Sequence, residues 1–153
     1  LILTTGGVSV GEKDLLPGVI ENLTGNVLFH GIQVKPGMPT MLSVVKGTPV
    51  LSLSGNPFAV EALFEVLAGG YLTDMEASRY LQKNQMKVLK QTFVKTGKMK
   101  RIVKGRCDES GVYLPQIQKN GQLKNGIGSN CLVIFPEGER TYAEGEGVRV
   151  IRI

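Results

Sequence analysis

Apolar residues in the first 70 positions fall into short runs separated by glycine, proline and asparagine, which predicts strands joined by turns. The first run, Leu1 to Thr5, ends at two glycines and is typical of a strand covered on both faces. Further strands are predicted at residues 27–34, 41–45 and 49–53.

Two other stretches have the periodicity of helices. Apolar residues recur at helical spacing from Leu15 to Leu23, with Asp14 as the expected N-cap and Pro17 in the first turn. A second apolar stripe has the spacing i, i+3, i+4, i+7 and consists of Val60, Leu63, Phe64 and Leu67. The resulting order β-α-β-β-β-α predicts an α/β sheet with crossover helices.

The second half of the chain has a different pattern. Strands are predicted at residues 101–107, 111–117, 130–135 and 148–153, separated by turns such as Asp-Glu-Ser-Gly and Pro-Glu-Gly-Glu. Residues 74–85 are expected to form a connecting helix. These elements predict a small all-β barrel or sandwich.

Charge separates the same two halves. Residues 1–72 carry three basic and five acidic side chains, a net charge of −2, whereas residues 73–153 carry 15 basic and eight acidic side chains, a net charge of +7. We therefore predict two domains, 1–72 and 73–153, with a boundary between Gly69 and Asp74.

Composition excludes several classes of protein. No apolar run approaches the ~20 residues of a membrane-spanning helix, so no membrane association is expected. The single histidine, His30, leaves no Cys/His cluster with zinc spacing, and it is expected to have a structural role.

Cys107 and Cys131 are predicted to be buried thiols in a reducing compartment, which indicates the cytoplasm. Because the chain begins at Leu1 without a secretory signal, we expect it to be part of a longer protein.

Three loops that follow predicted strands could hold an anion. The first runs from Thr4 through Thr5, Gly6, Gly7, Val8, Ser9 and Val10 to Gly11. Adjacent glycines let a backbone approach a phosphate closely and point N–H groups at it, although the same sequence also suits a tight turn. The spacing matches neither the dinucleotide fingerprint nor a P-loop.

The second loop is Ser54-Gly55-Asn56-Pro57. Asn56 is a good N-cap and Pro57 a good first helical residue, so this loop is either a helix N-terminus that binds an anion or simply a well-capped helix. The third loop, Lys35-Pro36-Gly37-Met38-Pro39, contains the only cation between Lys13 and Lys46. Lys35 among glycine loops would attract an oxyanion, but an exposed turn lysine is the alternative.

Two carboxylates lie beside the first loop. Mg²⁺ takes one or two carboxylates together with phosphate oxygens of a substrate, and Glu12 and Asp14 could supply them. Helix capping is an equally good explanation for Asp14, whereas Glu12 has no evident structural task.

Taken together, the three loops resemble the molybdopterin molybdenumtransferases, the MoeA and gephyrin E-domain family. The resemblance rests on the order and separation of Thr4 to Asp14, Phe29 to Pro39 and Leu53 to Pro57, with weaker similarity at residues 128–132 and 145–148. It implies a partial MogA-like three-layer α/β domain followed by a small barrel-like β domain. It also implies a cytoplasmic homodimer at full length and a MogA-type adenylyltransferase as partner.

The resemblance implies a reaction as well. The family inserts molybdate into adenylated molybdopterin with Mg²⁺ present and releases AMP; we expect the chain alone to be inactive. Lys35, Glu12 and Asp14 would be catalytic, with Glu12 and Asp14 holding Mg²⁺. Residues that would bind the pterin substrate are Thr5, Gly6, Gly7, Val8, Ser9, Gly11, Pro36, Gly37, Ser54, Gly55, Asn56 and Pro57. Phosphoanhydride cleavage needs charge neutralisation more than a nucleophilic side chain. A chain with a single histidine and no catalytic cysteine is therefore compatible with this reaction.

The chain departs from the family at two positions. Met38 stands where a second lysine is usual, and a thioether offers no charge to molybdate. Ser54 replaces the usual proline and keeps the second loop polar. Met38 predicts a weaker molybdate site or the use of a related oxyanion.

Three other functions remain alternatives. The basic second half could bind nucleic acid, but its aromatic residues are few and are not interleaved with basic ones, so no nucleic acid is expected. A molybdopterin-binding or scaffold protein of the same fold would lack molybdenum insertion activity. A MogA-type adenylyltransferase would use the same pterin, but the Lys-Pro-Gly and Ser-Gly-Asn-Pro loops argue against it.

Overall fold

The computed structural model describes residues 1–9, 11–12, 14–69, 84–115 and 128–153. The chain divides into two compact units, Leu1–Leu63 and Phe64–Ile153. The predicted domain boundary at 69–74 lies outside the described residues, except for Gly69. No helix within the described ranges is long and apolar enough to cross a membrane.

The first unit is a mixed sheet with two short helices. Its elements are β1 (Ile2–Thr5), α1 (Leu16–Asn22), β2 (Asn26–His30), β3 (Val34–Lys35), β4 (Met41–Val45), β5 (Thr48–Leu53) and α2 (Pro57–Leu63). The strand order of the sheet is β1-β5-β4-β2, with β1 parallel to β5 and the other two pairs antiparallel, and β3 is not a strand of this sheet. This arrangement confirms the predicted α/β class.

One face of this sheet packs on α1. Met41 and Val50 from the sheet form a buried core with Ile20 of α1 and with Val8, which precedes the helix. Because side chains alternate between the faces of a strand, Met41 and Val50 mark the face on which α1 lies. The first loop, called the glycine loop from here on, joins β1 to α1. Its residue Val8 therefore places the described part of this loop on the same side of the sheet.

Three local expectations for this unit are wrong. β1 is not covered on both faces in the described structure, because Ile2 on one face is 49 % exposed and Leu3 on the other is 39 % exposed. Asp14 does not cap α1, whose N-cap residue is Leu15 without a side-chain hydrogen bond. The strand predicted for 27–34 ends at His30, because Gly31 has a φ of +99° that breaks the extended backbone.

The second unit begins with a π-helical segment (Phe64–Ala68) and continues as β-structure. Its strands are β6 (Asn84–Val88), β7 (Phe93–Lys95), β8 (Lys100–Cys107), β9 (Val112–Tyr113), β10 (Cys131–Phe135), β11 (Arg140–Tyr142) and β12 (Gly147–Arg152). β8, β10, β12 and β6 form an antiparallel sheet in that order, β9 pairs with β8, and β7 pairs with β11.

The core of this second unit contains a small aromatic cluster. Phe135 stacks on Phe93 with ring centroids 4.5 Å apart and meets Tyr142 edge-on at 4.8 Å. A bridge between Leu89 and Val112 joins the segment after β6 to β9. The β-rich character is confirmed, and a closed barrel stays a prediction. Of the helix predicted at 74–85, Asn84 and Gln85 belong to β6 instead, and the rest lies outside the described residues.

Candidate functional site

The three predicted loops lie at one edge of the first unit's sheet. β1 and β5 are parallel and in register at Thr5 and Leu53, so the loops that follow them start side by side. β4 is antiparallel to β5, and its first residue, Met41, pairs with both Ser52 and His30. The segment 31–40, which joins β2 to β4, therefore begins and ends at the same edge. The carboxyl ends of strands are where ligands bind in open α/β sheets.

The first and second loops touch each other. The Gly6 N–H donates a hydrogen bond of 2.9 Å to the carbonyl of Leu53. A Cβ atom on Gly55 would lie only 3.4 Å from the Gly6 Cα, so the two backbones approach closely. Gly6 and Gly7 have φ values of +81° and +67°, in the left-handed region that favours glycine. The two glycines thus permit a turn that residues with side chains would adopt only with strain.

Not every amide of the glycine loop is available to a ligand. The amides of Gly6 and Gly11 are already bonded, the first to Leu53 and the second to Asp14 Oδ2 at 3.1 Å. The amides of Gly7 and Ser9 make no hydrogen bond within the described part of the chain. The loop can therefore offer an anion these two donors, with the half-buried Ser9 hydroxyl beside them.

Val8 and His30 anchor the glycine loop to the sheet. The Val8 side chain is 1 % exposed and lies in the core, so only its backbone could face a ligand. The Val8 carbonyl accepts a hydrogen bond of 2.7 Å from His30 Nε2 at the end of β2. A carbonyl cannot donate, so Nε2 carries the hydrogen. This hydrogen bond holds the glycine loop against the end of β2, so His30 has a structural role here.

The second loop begins α2 as its sequence predicts. Asn56 Oδ1 accepts a hydrogen bond of 3.1 Å from the Ala59 amide, and the Asn56 carbonyl accepts one of 2.9 Å from Val60. Pro57 is the first helical residue, where its missing N–H costs nothing. Ser54 is only 9 % exposed, and its hydroxyl has no partner within the described residues. Gly55 is exposed next to it.

The third loop packs on the helix that the second loop starts. Gly37 has a φ of +103°, and a Cβ there would lie 2.2 Å from Leu63 Cδ1 and 3.5 Å from Ala59 Cβ of α2. The loop is closed by the buried Thr40, whose hydroxyl donates to the Gly37 carbonyl at 2.7 Å. Thr40 was not singled out from the sequence, although a threonine three residues after a turn glycine is a signal for such a bond.

The charged candidates lie on exposed or half-buried segments: Glu12 and Asp14 follow the glycine loop, and Lys35 lies in β3, which is not a strand of this sheet. Lys35 and Glu12 are exposed, and neither side chain makes a hydrogen bond or ion pair within the described residues. Asp14 is half-buried and uses Oδ2 to accept the Gly11 amide, and its Oδ1 has no hydrogen-bond partner among the residues that the structure describes. No group of three or more His, Cys, Asp or Glu side chains could hold a metal ion within the described ranges. No described contact joins Lys35 to either carboxylate.

A surface depression of about 310 Å³ lies between the glycine loop and the segment 31–40. It is lined by Ser9, His30, Gly31, Ile32, Gln33, Met38 and Pro39. Its lining is mainly apolar, and Ser9, His30 and Gln33 are its polar residues. Met38, which lines this depression, is 49 % exposed.

Comparison with known proteins relates the chain to molybdenum cofactor biosynthesis. Residues 1–74 match a family described as a probable molybdopterin binding domain. A molybdopterin molybdenumtransferase of Staphylococcus aureus strain COL is 29 % identical over 156 residues, which cover 99 % of this chain and 37 % of the relative. The corresponding protein of Staphylococcus epidermidis strain ATCC 12228 is 27 % identical with the same coverage.

Solved structures give the same relationship. The structure of the molybdopterin biosynthesis MoeA protein from Pyrococcus horikoshii superposes with a TM-score of 0.78 at 28 % identity, covering 99 % of this chain and 37 % of that one. A molybdenum cofactor biosynthesis protein from Pyrococcus furiosus shares the fold at a TM-score of 0.62. The chain thus spans about 37 % of the length of the curated relatives it matches. Over nearly its whole length the chain is similar to part of the molybdopterin molybdenumtransferases, and its residues 1–74 match the family described as a probable molybdopterin binding domain.

Proposed function

We propose that this chain is part of an enzyme that inserts molybdate into adenylated molybdopterin and releases AMP. The observation that carries the proposal is the gathering of three anion-attracting loops at one sheet edge, in a chain related to molybdopterin molybdenumtransferases. The whole proposal also includes a cytoplasmic homodimer and a MogA-type adenylyltransferase that supplies the adenylated pterin. Residues 1–72 would be the second part of the pterin-binding domain and residues 73–153 the C-terminal domain.

The glycine loop would hold the phosphate groups of the substrate. The uncommitted amides of Gly7 and Ser9 supply hydrogen bonds to phosphate oxygens, and such bonds to charged acceptors are stronger than neutral ones. Val8, His30 and the Gly6–Leu53 bond keep these amides in place. The pterin ring would lie in the neighbouring depression, against Ser9, Gln33 and Met38.

Lys35 would attract molybdate. It is the only lysine or arginine in the segment 31–40, and its side chain is exposed with no carboxylate partner within the described residues. A lysine ammonium is a point charge with three donors, which suits a tetrahedral oxyanion. Met38 adds no charge, so the site depends on Lys35 more strongly than a two-lysine loop would.

Glu12 and Asp14 would hold Mg²⁺ beside the phosphates. The donor set fits, because Asp14 keeps Oδ1 uncommitted and Glu12 is exposed, and Mg²⁺ needs only one or two carboxylates. When bound there, Mg²⁺ would supply positive charge to offset that of the phosphoanhydride. Cleavage of this bond by water separates AMP from the pterin phosphate, and the amides and Lys35 stabilise the charge that develops.

The replacement Lys35→Ala in the full-length protein tests the proposal. We expect AMP release from adenylated molybdopterin to lose its dependence on molybdate, with turnover at least about a hundredfold lower. Lys46→Asn is the matched control, because Lys46 lies in the β4–β5 turn at the opposite end of these strands. Its φ of +48° is one that asparagine tolerates. Unchanged turnover in Lys35→Ala, or an equal loss in Lys46→Asn, would remove Lys35 from the mechanism.

A further inference from the structure

Backbone hydrogen bonds occupy several polar groups in the wall of the depression beside the glycine loop. The Gly31 amide donates to the Thr40 carbonyl at 2.8 Å, and the Ile32 amide donates to the Met38 carbonyl at 2.9 Å. The Met38 carbonyl also accepts the Thr40 amide at 2.8 Å. These bonds close the segment 31–40 on itself, so a ligand in the depression would be recognised mainly by the side chains that line it.

His30 has one ring nitrogen that is committed and one that is not. Nε2 donates to the Val8 carbonyl, so in the neutral ring Nδ1 carries no hydrogen and offers a lone pair. No hydrogen bond reaches Nδ1 from the part of the chain that the structure describes. His30 is exposed and lines the depression. The fold therefore fixes the tautomer of His30 and leaves Nδ1 as a hydrogen-bond acceptor for a ligand at this place.

The other lining residues favour a flat ring as the occupant. Ile32, Met38 and Pro39 provide apolar surface, and a methionine thioether packs well against an aromatic ring. Gln33 is exposed there, and its amide both donates and accepts hydrogen bonds. None of the described lining residues is an aspartate, glutamate, lysine or arginine, so the depression suits a neutral group. An uncharged heteroaromatic ring with N–H groups on one edge meets these conditions.

We propose that His30 Nδ1 accepts a hydrogen bond from an N–H group on the aminopyrimidinone edge of the pterin ring. This role rests on the proposed function, which places the pterin in this depression. A pterin carries a ring N–H and an amino group side by side on that edge, and each is a donor that needs an acceptor. The two nitrogens of His30 thus have separate tasks, since Nε2 holds the glycine loop and Nδ1 selects the ring.

The test is binding of hydroxymethylpterin to the full-length protein, measured by the fluorescence of the pterin ring, in two variants of His30. Glutamine provides an amide nitrogen close to the position of Nε2, and asparagine provides an amide oxygen close to that of Nδ1. His30→Gln is expected to keep most of the parent's stability but to bind the pterin about tenfold more weakly, because an acceptor is lost. His30→Asn is expected to lose stability but to bind the pterin more tightly than His30→Gln.

The opposite order of the two variants in stability and in affinity distinguishes recognition from a purely structural role. If His30 only held the glycine loop, His30→Asn would be the worse variant in both measurements, and that result would overturn the proposal. Parent-like pterin affinity in His30→Gln would overturn it too, as would the absence of pterin binding in the parent. Adenosine monophosphate is the control ligand, because an equal loss of its affinity in His30→Gln would overturn the assignment of Nδ1 to the pterin.

These outcomes are separate from those of the proposed function. A protein that binds hydroxymethylpterin through His30 but releases no AMP from adenylated molybdopterin would contradict the proposed function and support the role of Nδ1. A protein that releases AMP but binds hydroxymethylpterin equally well with His30 and with His30→Gln would contradict the role of Nδ1 alone.

Discussion

At the scale of single residues, the structure assigns partners that residue type alone does not reveal. His30 was expected to be structural, and it donates to the carbonyl of Val8, 22 positions earlier in the chain. Asp14 suits a helix cap but accepts the Gly11 amide instead, because Leu15 already occupies the N-cap position. Lys95 is 1 % exposed although lysine is rarely buried, since its ammonium donates to the carbonyls of Gly97 and Gly138.

His30→Phe is expected to lower the free energy of unfolding by about 1–2 kcal/mol, because the partly buried Val8 carbonyl loses its donor while the ring volume is kept. His30→Gln provides an amide nitrogen close to the position of Nε2 and should retain most of the stability. Urea denaturation of the three proteins measures the difference. Equal stabilities for the Phe and Gln variants would mean that the hydrogen bond does not hold the loop.

At the scale of elements, the local signals differ in strength. The predicted strand 41–45 and the predicted start of α2 at Pro57 agree with the structure residue by residue, because a continuous apolar run and an Asn-Pro cap are strong local signals. β6, β7 and β11 were not predicted. These strands are short or largely polar, so their own composition does not favour a strand. Pairing stabilises them, because β6 pairs with β12 and β7 pairs with β11.

Gly37→Ala tests the packing of the third loop on α2. Its Cβ would overlap Leu63 Cδ1, and the backbone has a positive φ, so we expect a loss of about 2–4 kcal/mol in the free energy of unfolding. Gly47→Ala is the control, because Gly47 also has a positive φ of +78° but nothing within 4 Å of the added atom. It should lose only the backbone contribution, about 1 kcal/mol. Similar losses in the two variants would show that the loop is not pressed against α2.

At the scale of the whole molecule, composition and tertiary structure describe different properties. The two halves carry net charges of −2 and +7, and the structure divides the chain into an α/β unit and a β-rich unit. Charge does not identify the buried groups, however. Cys107 and Cys131 are both buried and free, as predicted. Burial is the main reason why the pKa of the Cys131 thiol is raised to about 12, and the neighbouring Cys107 thiol adds to this effect.

The raised pKa of Cys131 predicts how stability depends on pH. The unfolded thiol releases its proton near its ordinary value of 9.0, whereas the folded thiol keeps it up to about 12. The contribution of Cys131 is therefore fully present below pH 9 and is lost as pH rises towards 12. Cys131→Ala should make the free energy of unfolding fall less between pH 8 and 10.5 than in the parent, as measured by urea denaturation. Parallel pH profiles would contradict this expectation.

The sequence by itself determined the α/β and β-rich halves, the cap at Asn56, the buried cysteines and the three loops that could hold an anion. Each of these depends on residues close together in the chain, whose periodicity and backbone preferences act locally. Only the tertiary structure decided that Gly6 lies against Gly55, that His30 fixes Val8, and that Ser54 is buried without a partner. These contacts arise from strand order and register, which depend on pairing between residues tens of positions apart.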